Sequence, residues 1–136
     1  MTDARAAAMR WAAAWKEGWE ALDVERIVAL YAPHATFSSE PFRDVYRGRQ
    51  GVRTYVAAAF AEEDDPRVWT SDPIVDGPRA SISWWASFRE DGLETTLAGT
   101  SVMRFDDDGL VVEQWDTWNT LPDRREPPAG GTPFTE

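Results

Sequence analysis

The segment Asp106–Thr120, with the sequence DDDGLVVEQWDTWNT, predicts a tight turn followed by a long β-strand. Gly109 closes the turn, because glycine readily adopts the positive φ that hairpin turns require. Side chains alternate between the two faces of a strand. One predicted face carries Val112, Gln114, Asp116 and Trp118, and the other carries Val111, Glu113, Trp115, Thr117 and Asn119. The first face places a carboxylate and an amide among apolar and aromatic groups, which is typical of a pocket lining.

Three helices are predicted before this strand. The first covers residues 3–21, where tryptophans recur at every fourth position and form one face that packs on the sheet. The second begins after the N-cap Asp23, turns Ile27, Leu30 and Tyr31 toward the core and ends at Pro33. The third covers residues 49–63, where apolar residues follow helical spacing. The tryptophans of the first helix are Trp11, Trp15 and Trp19.

The rest of the chain predicts strands at residues 35–39, 67–75, 80–89, 93–105 and 110–120. The last four form an antiparallel meander, in which Pro73 marks a bulge or an edge. Residues 39–51 are predicted to form an irregular charged loop. The acidic run Glu62–Asp65 is predicted to end the third helix as solvated surface.

These elements predict an α+β domain, with three N-terminal helices packed on a strongly bent, mostly antiparallel sheet. Helices that cover one face of a bent sheet leave a cone-shaped fold with an internal cavity. We expect this domain at residues 1–120. The Pro- and Gly-rich tail, residues 121–136, is expected to be extended or disordered.

Composition and charge exclude several classes of protein. The net charge of −10 disfavours nucleic-acid binding, which requires a basic surface. No apolar run approaches the roughly 18 residues of a membrane span, and no export signal opens the chain, so we expect a cytoplasmic protein. Cysteine is absent, and His34 is the only histidine and is predicted in a surface loop. A metal or cofactor site is therefore not expected.

Several motifs resemble those of one superfamily. The pattern W-x3-W…LD-x-E-x-I-V-x-L-Y-A…A-T-F-x-S at Trp11–Ser39 resembles the nuclear transport factor 2-like superfamily, and so does Y-x-G-x-x-G-V-R-x-Y at Tyr46–Tyr55. The ending L-V-V-E-Q-W-D-x-W-N at Leu110–Asn119 is similar to its SnoaL-like branch. The resemblance covers most of the chain and implies the fold more strongly than an activity. The superfamily includes isomerases, cyclases, hydrolases, dehydratases and non-catalytic binders.

Related enzymes give different expectations for the catalytic residues. The Tyr, Asp and Asp of ketosteroid isomerases fall at Trp15, Ser39 and Ser101 here, so the resemblance does not extend to that mechanism. Limonene-epoxide hydrolases, which resemble this fold, use an Asp–Arg–Asp set. Only one Asp of that set has a counterpart in this chain, which is Asp116. SnoaL-like polyketide cyclases use a pocket Asp as acid and base without a cofactor, and the resemblance implies this role for Asp116.

The predicted site is therefore built around Asp116. An apolar surround would raise the pKa of its carboxyl and make it a proton-transfer group near neutral pH. Ser101, Gln114 and Trp15 are expected to hold a substrate carbonyl or oxyanion. The apolar wall is predicted to comprise Phe37, Tyr55, Trp84, Phe88 and Trp118. The alternatives are a buried Asp116 satisfied by structural donors, or an exposed Asp116 at the strand end.

Trp85 and Trp115 fall among polar residues on the opposite face of the sheet. Two tryptophans there indicate a covered face, and relatives of this fold commonly dimerise through it. We therefore predict a homodimer with Trp85 and Trp115 at its interface.

Two functions stay open at the level of the sequence, and with them the question of whether the protein is an enzyme. The first is a cofactor-independent isomerase or cyclase that uses Asp116 on a small hydrophobic ligand. The second is a non-catalytic module that binds a hydrophobic small molecule or serves as a dimerisation domain.

Overall fold

The computed structural model describes residues 3–130 and 132–134, and it confirms the predicted α+β class. Outside these ranges lie residues 1–2 of the predicted domain and residues 131, 135 and 136 of the predicted tail. Along the chain the elements are α1 (Ala4–Glu20), α2 (Val24–Val28), β1 (Tyr31–Ser38), β2 (Tyr46–Arg47), α3 (Gly48–Ala61), β3 (Glu63–Thr70), β4 (Ile74–Asp76), β5 (Arg79–Glu90), β6 (Leu93–Phe105) and β7 (Val111–Leu121).

The strands form one curled sheet with the order β2-β1-β7-β6-β5-β3, and β4 pairs with the start of β5. All pairs are antiparallel except β1 with β7. The three helices lie on one face, with α1 against β3 and β5 and α3 against β1. The space between this helical layer and the bent sheet holds the core and the cavity described below.

The helices begin at side-chain caps that satisfy free backbone amides. Asp3 accepts from the amide of Ala6 at 3.0 Å, and Asp23 accepts from the amide of Arg26 at 3.2 Å, as predicted for an N-cap. Small buried residues of α1, including Ala7 and Ala8, allow the helix to lie close to the sheet. In the described ranges, no helix combines the length and the apolar character needed to cross a membrane.

The prediction that the second helix reaches Pro33 is wrong. Helix α2 ends at Val28, and Tyr31 is the first residue of β1 rather than a helical residue. The amide of Val111 donates to the carbonyl of Leu30 at 2.8 Å, so pairing with β7 begins here. Pro33 is tolerated because the register of β1 against β7 shifts between Tyr31 and Thr36, where no ladder bond from its nitrogen is needed. His34 is exposed as predicted, but it lies in this strand and not in a loop.

The acidic run follows the end of α3 and is exposed at Glu62, Asp64 and Asp65 as predicted, but the prediction is wrong for Glu63, which opens β3. Glu63 pairs with Glu90 of β5 and is partly buried. The predicted strand 67–75 is split, because β3 ends at Thr70 and β4 begins at Ile74, after Pro73. The predicted loop 39–51 contains the short strand β2 and the first turn of α3.

A bulge corrects the predicted parity at the start of β7. Arg104 pairs with Glu113 whereas Phe105 pairs with Val111, so Val112 is an extra residue in the ladder. Val111 is consequently buried, although simple alternation assigned it to the outer face. From Gln114 onward the predicted alternation holds, and Asp116 is only 7% exposed.

The tail packs on the outer face of the sheet. Thr96 donates to the carbonyl of Asp123 at 2.8 Å, and the indole N–H of Trp85 donates to the carbonyl of Arg125 at 2.8 Å. The ring of Phe134 lies 6.1 Å from that of Trp85. Trp85 is thus partly covered by the tail, which also supplies an acceptor for its indole N–H. Trp115 remains 49% exposed. The homodimer stays a prediction, and Trp115 is the tryptophan available to it.

Candidate functional site

A cavity of about 70 Å³ lies between the helices and the sheet. By this measure one water needs about 10–15 Å³, so the space admits a small molecule or part of a larger one. Most of its wall is aromatic, and its polar groups are few. The lining consists of Trp11, Trp15, Trp19, Phe37, Tyr55, Val56, Ala59, Phe60, Glu63, Val68, Thr70, Trp84, Leu97, Ser101, Gln114, Asp116 and Trp118.

Asp116 lies on β7 directly opposite Ser101 of β6. Its Oδ1 accepts from the hydroxyl of Ser101 at 2.6 Å and from Nε2 of Gln114 at 3.0 Å. Both hydrogen bonds end on the same oxygen, and no donor among residues 3–130 and 132–134 bonds to Oδ2. The carboxyl is therefore fixed through one oxygen, and the other oxygen is left for a molecule in the cavity.

Gln114 is the centre of the hydrogen-bond network behind Asp116. Its Oε1 accepts from the indole N–H of Trp11 at 3.0 Å and from the hydroxyl of Tyr31 at 2.5 Å. The hydroxyl of Tyr31 in turn accepts from the indole N–H of Trp15 at 3.3 Å. Two donors on the carbonyl oxygen fix the orientation of the amide, so its NH2 group must point at Asp116.

Ser101 is oriented in the same way from the other side. The indole N–H of Trp84 donates to its Oγ at 3.0 Å, which leaves the hydroxyl proton free to bond to Asp116. The indole of Trp118 donates to the carbonyl of Ser39 at 2.7 Å. The indole N–H groups of the cavity are thus bonded to the protein itself, and these tryptophans offer ring surface rather than donors to a ligand.

Burial raises the pKa of Asp116 from 3.8 to about 7, and this effect exceeds the lowering by the hydrogen bonds from Ser101 and Gln114. Burial, with the nearby Asp116 charge as a second cause, also raises the pKa of Tyr31 and that of Tyr55. Near neutral pH, Asp116 therefore populates both its protonated and its ionised form, as a general acid or base requires.

The structure brings eight of the nine predicted site residues to one cavity. Phe88 is the exception, because it is buried beyond the lining with its ring 6.3 Å from that of Trp19. Its inward strand parity is correct, because Phe88 is buried in the hydrophobic core. The eight that line the cavity are Trp15, Phe37, Tyr55, Trp84, Ser101, Gln114, Asp116 and Trp118.

The lining contains a second carboxyl group, that of Glu63, which was not predicted from the sequence. The indole N–H of Trp19 donates to its Oε1 at 2.5 Å. Burial raises the pKa of Glu63 from 4.5 to about 7, and the charge of Glu90 acts in the same direction. No feature of the local sequence distinguishes Glu63 from the adjacent Asp64 and Asp65, so its burial could not be predicted. Among the described residues, no group of three potential ligands comes together as a metal site requires.

We expect Gln114→Leu to lower the free energy of unfolding by about 3 kcal/mol. The substitution leaves the N–H of Trp11 and the hydroxyl of Tyr31 buried without an acceptor. Urea unfolding measures the loss, with Thr117→Val on the exposed face of the same strand as the control. Equal stability of the two variants would show that Gln114 does not hold this network.

Comparisons with known proteins agree with the fold. The family model described as SnoaL-like domain matches residues 10–114. Among curated proteins, none matches this sequence significantly. The structure of SalBIII, described as an epoxide hydrolase/cyclase-like enzyme in pyran ring formation in the polyether salinomycin, has a TM-score of 0.75 at 17% identity, over 88% of this chain and 95% of that one.

Two further solved structures show the same fold. RV0760c from Mycobacterium tuberculosis has a TM-score of 0.74 at 14% identity, over 89% of this chain and 98% of that one. A hypothetical protein with a ketosteroid isomerase-like fold from Catenulispora acidiphila, in complex with trimethylamine, has a TM-score of 0.69 at 15% identity, over 77% of this chain and 82% of that one. At these identities the likeness shows the fold alone.

Proposed function

This chain belongs to the SnoaL-like domain family, and on that premise we propose that it is a cofactor-independent isomerase or cyclase in which Asp116 transfers a proton to and from a small hydrophobic ligand. One observation carries the proposal. Asp116 lines an aromatic cavity with Oδ1 fixed by Ser101 and Gln114, while Oδ2 accepts no hydrogen bond from the described residues.

The ionised form of Asp116 is suited to act as the base. Oδ2 takes a proton from a C–H or O–H group of the ligand, and the donors on Oδ1 keep the carboxyl in one orientation during the transfer. The aromatic wall excludes water, which keeps the pKa of the carboxyl close to neutral. The same wall holds the apolar body of the ligand by burial of its surface.

One structural relative supports this class of reaction. SalBIII is described as an epoxide hydrolase/cyclase-like enzyme in pyran ring formation. Closure of a ring by a hydroxyl group requires a base for that hydroxyl, and Asp116 of this chain has the placement and the pKa of such a base. Isomerisation of a ketone through its enol requires the same group.

The second candidate is a non-catalytic binder of a small hydrophobic molecule. The small size of the cavity favours it, because only about 70 Å³ remains between the side chains that line it, which include the indoles of Trp11, Trp15 and Trp19. The exposed Trp115 keeps the dimerisation role open as well. The homodimer and the cytoplasmic location stay predictions of the sequence.

The experiment uses cyclopentanone, a small apolar ketone, as a probe. Deuterium exchange from D2O into its α-carbon positions is followed by proton NMR, and the carboxyl carbon signal of Asp116 is followed in the same titration. We expect the protein to accelerate exchange and Asp116→Asn to lose about 100-fold of that acceleration. Glu113→Gln, an exposed acid on the outer face of the same strand, is the matched control.

The two candidates give different results. A shifted Asp116 signal without exchange favours the non-catalytic binder. An indifferent signal and no exchange contradict both proposals for this cavity.

A further inference from the structure

The cavity combines aromatic rings with carboxyl groups and contains no basic side chain among the described residues that line it. The two acids of the lining are Asp116 and Glu63. An ionised carboxylate in this space has no counter-charge from the lining, and a buried charge without a partner is costly. A positively charged ligand would supply the charge that the protein itself does not place there.

Asp116 is the acid with an enclosed and unbonded oxygen. The residue is only 7% exposed. Ser101 and Gln114 both donate to Oδ1, and in the described part of the chain no hydrogen bond reaches Oδ2. Both donors are neutral and leave the charge of the ionised carboxylate without a counter-ion. Oδ2 is therefore the atom that a cation in the cavity would contact.

Glu63 lies at another position along the sheet. It pairs with Glu90 of β5, whereas Ser101, which pairs with Asp116, lies opposite Ile82 of the same strand. A small ligand at Asp116 therefore needs no contact with Glu63, and the site is argued from Asp116 alone.

Two indole rings adjoin Asp116, each separated from it by a single polar side chain. The N–H of Trp84 donates to the same hydroxyl of Ser101 that bonds to Asp116. The N–H of Trp11 donates to Oε1 of Gln114, whose Nε2 bonds to Asp116. Because these N–H groups are held by the protein, each indole offers a ligand the surface of its ring.

The indoles of the lining are inclined to one another and do not form a parallel stack. The interplanar angle is 44° between Trp11 and Trp15, 70° between Trp15 and Trp19, and 59° between Trp19 and Trp84, with centroids 5.9 Å apart in each pair. Rings that enclose a space at several inclinations can contact a cation from more than one side. Aromatic cages of this kind recognise quaternary ammonium ions through the ring quadrupole.

We propose that this cavity binds a small methylated ammonium ion, tertiary or quaternary, with its charge against Oδ2 of Asp116 and its methyl groups against the surrounding indole rings. The inference goes beyond the proposed function, because binding of the ion involves no proton transfer. The ion would occupy the place of the neutral ligand and compete with it.

Size and hydrogen bonding both favour methylated ions over other cations. The cavity of about 70 Å³ has room for about five to seven water-sized atoms, which suits a nitrogen with three or four methyl groups. A primary ammonium group carries three N–H donors, and beside Asp116 the described residues offer it one unbonded carboxyl oxygen. A tertiary ammonium ion has a single N–H for that oxygen, and a quaternary ion has none to satisfy.

Binding should become stronger as pH rises through neutrality, because the ion requires the ionised form of Asp116. Burial raises the pKa of this carboxyl to about 7. A cation beside a carboxyl lowers its pKa by about 1–3 units, so by linkage the ion binds the ionised form about 10- to 1000-fold more tightly. Burial also raises the pKa of Tyr31 and that of Tyr55, so both hydroxyls stay neutral in this range. Glu63, whose pKa is also raised to about 7, needs a separate variant.

The test is an NMR titration with tetramethylammonium chloride near pH 6 and near pH 8, followed at the carboxyl carbon of Asp116 and at the methyl signal of the ion. We expect the wild-type Kd to be about 5- to 10-fold lower near pH 8 than near pH 6. Asp116→Asn should weaken binding near pH 8 by about 10-fold or more and remove most of the pH dependence.

Four controls separate the site from general effects of charge and salt. Glu113→Gln, on the exposed face of the same strand, and Glu63→Gln should both keep the affinity and its pH dependence. Sodium chloride at the same concentration tests for a general salt effect. The alcohol tert-butanol, a neutral molecule of about the same size, should bind at least about 10-fold more weakly near pH 8. Urea unfolding checks that each variant is folded.

The outcomes separate this inference from the proposed function. An affinity that does not rise from pH 6 to pH 8 in the wild-type protein overturns the inference without recourse to any variant. Equal binding of tert-butanol, equal shifts with sodium chloride, or loss of binding in Glu63→Gln but not in Asp116→Asn also overturns it. Exchange into cyclopentanone without binding of the ion leaves the proposed function standing, whereas binding of the ion without exchange leaves this inference standing.

Discussion

Asp116→Asn is expected to raise the free energy of unfolding by about 2–4 kcal/mol near pH 8. The pKa of Asp116 is about 7 in the folded protein against 3.8 for the free group, so the folded state binds the proton more tightly. Stability from this carboxyl is complete below pH 3.8, falls as pH rises toward 7, and stays low above it. At about 1.4 kcal/mol for each pH unit between the two pKa values, the upper limit is about 4 kcal/mol.

Asparagine avoids this cost because it stays neutral. Its carbonyl oxygen can accept the bonds that Ser101 and Gln114 now make to Oδ1, and its NH2 group takes the place of the unbonded oxygen. Urea unfolding near pH 8 and near pH 4 measures the effect, which we expect at the higher pH and not at the lower. Glu113→Gln on the exposed face of β7 is the control and should leave the pH dependence unchanged. Destabilisation by Asp116→Asn near pH 8 would show that the ionised carboxylate contributes to the fold.

A gain in stability on removal of Asp116 bears on function. A buried acid that lowers the stability of the native protein is a feature expected of an active site rather than of a packing core. The stability experiment is therefore independent of any ligand and complements the exchange assay.

Gly99→Ala is expected to lower the free energy of unfolding by about 2–4 kcal/mol. Gly99 lies in β6 between Trp84 of β5 and Trp118 of β7. A Cβ atom there would lie 2.4 Å from the carbonyl oxygen of Thr117, 2.6 Å from Cβ of Trp118 and 2.9 Å from the indole of Trp84. Two of these atoms belong to or adjoin the backbone of β7, so the strand itself must move.

The same substitution should disturb the candidate site, since displacement of Trp84 breaks its bond to Ser101. Thermal or urea unfolding gives the stability loss, and tryptophan fluorescence reports the displaced indole. Ala98→Ser, one residue earlier in the same strand, is the matched control. If Gly99→Ala were as stable as this control, the close approach of the strands at Gly99 would be wrong.

The sequence by itself determined much of the fold and half of the site. Alternation along β5, along β6 and along β7 from Gln114 onward indicates which side chains enter the core, because a strand with one buried face rarely tolerates a slip in register. That rule placed Ser101, Gln114 and Asp116 on one side, where the structure has them. Helical spacing placed Trp15 and Tyr55 on the faces that meet the sheet. These signals are local, and a sequence records them directly.

Only the tertiary structure decided the remainder, because it depends on pairings between distant segments. Pairing with β7 draws Tyr31 out of a predicted helix and brings its hydroxyl to Gln114, 83 residues away in the chain. The pairing of β3 with β5 turns Glu63 toward Trp19 and leaves Asp64 outside. The returning tail covers Trp85 and leaves Trp115 exposed. The placement of Tyr31, Glu63 and Trp85 depends on which distant residue offers each side chain a hydrogen-bond partner. The composition of the surrounding segment does not specify that residue.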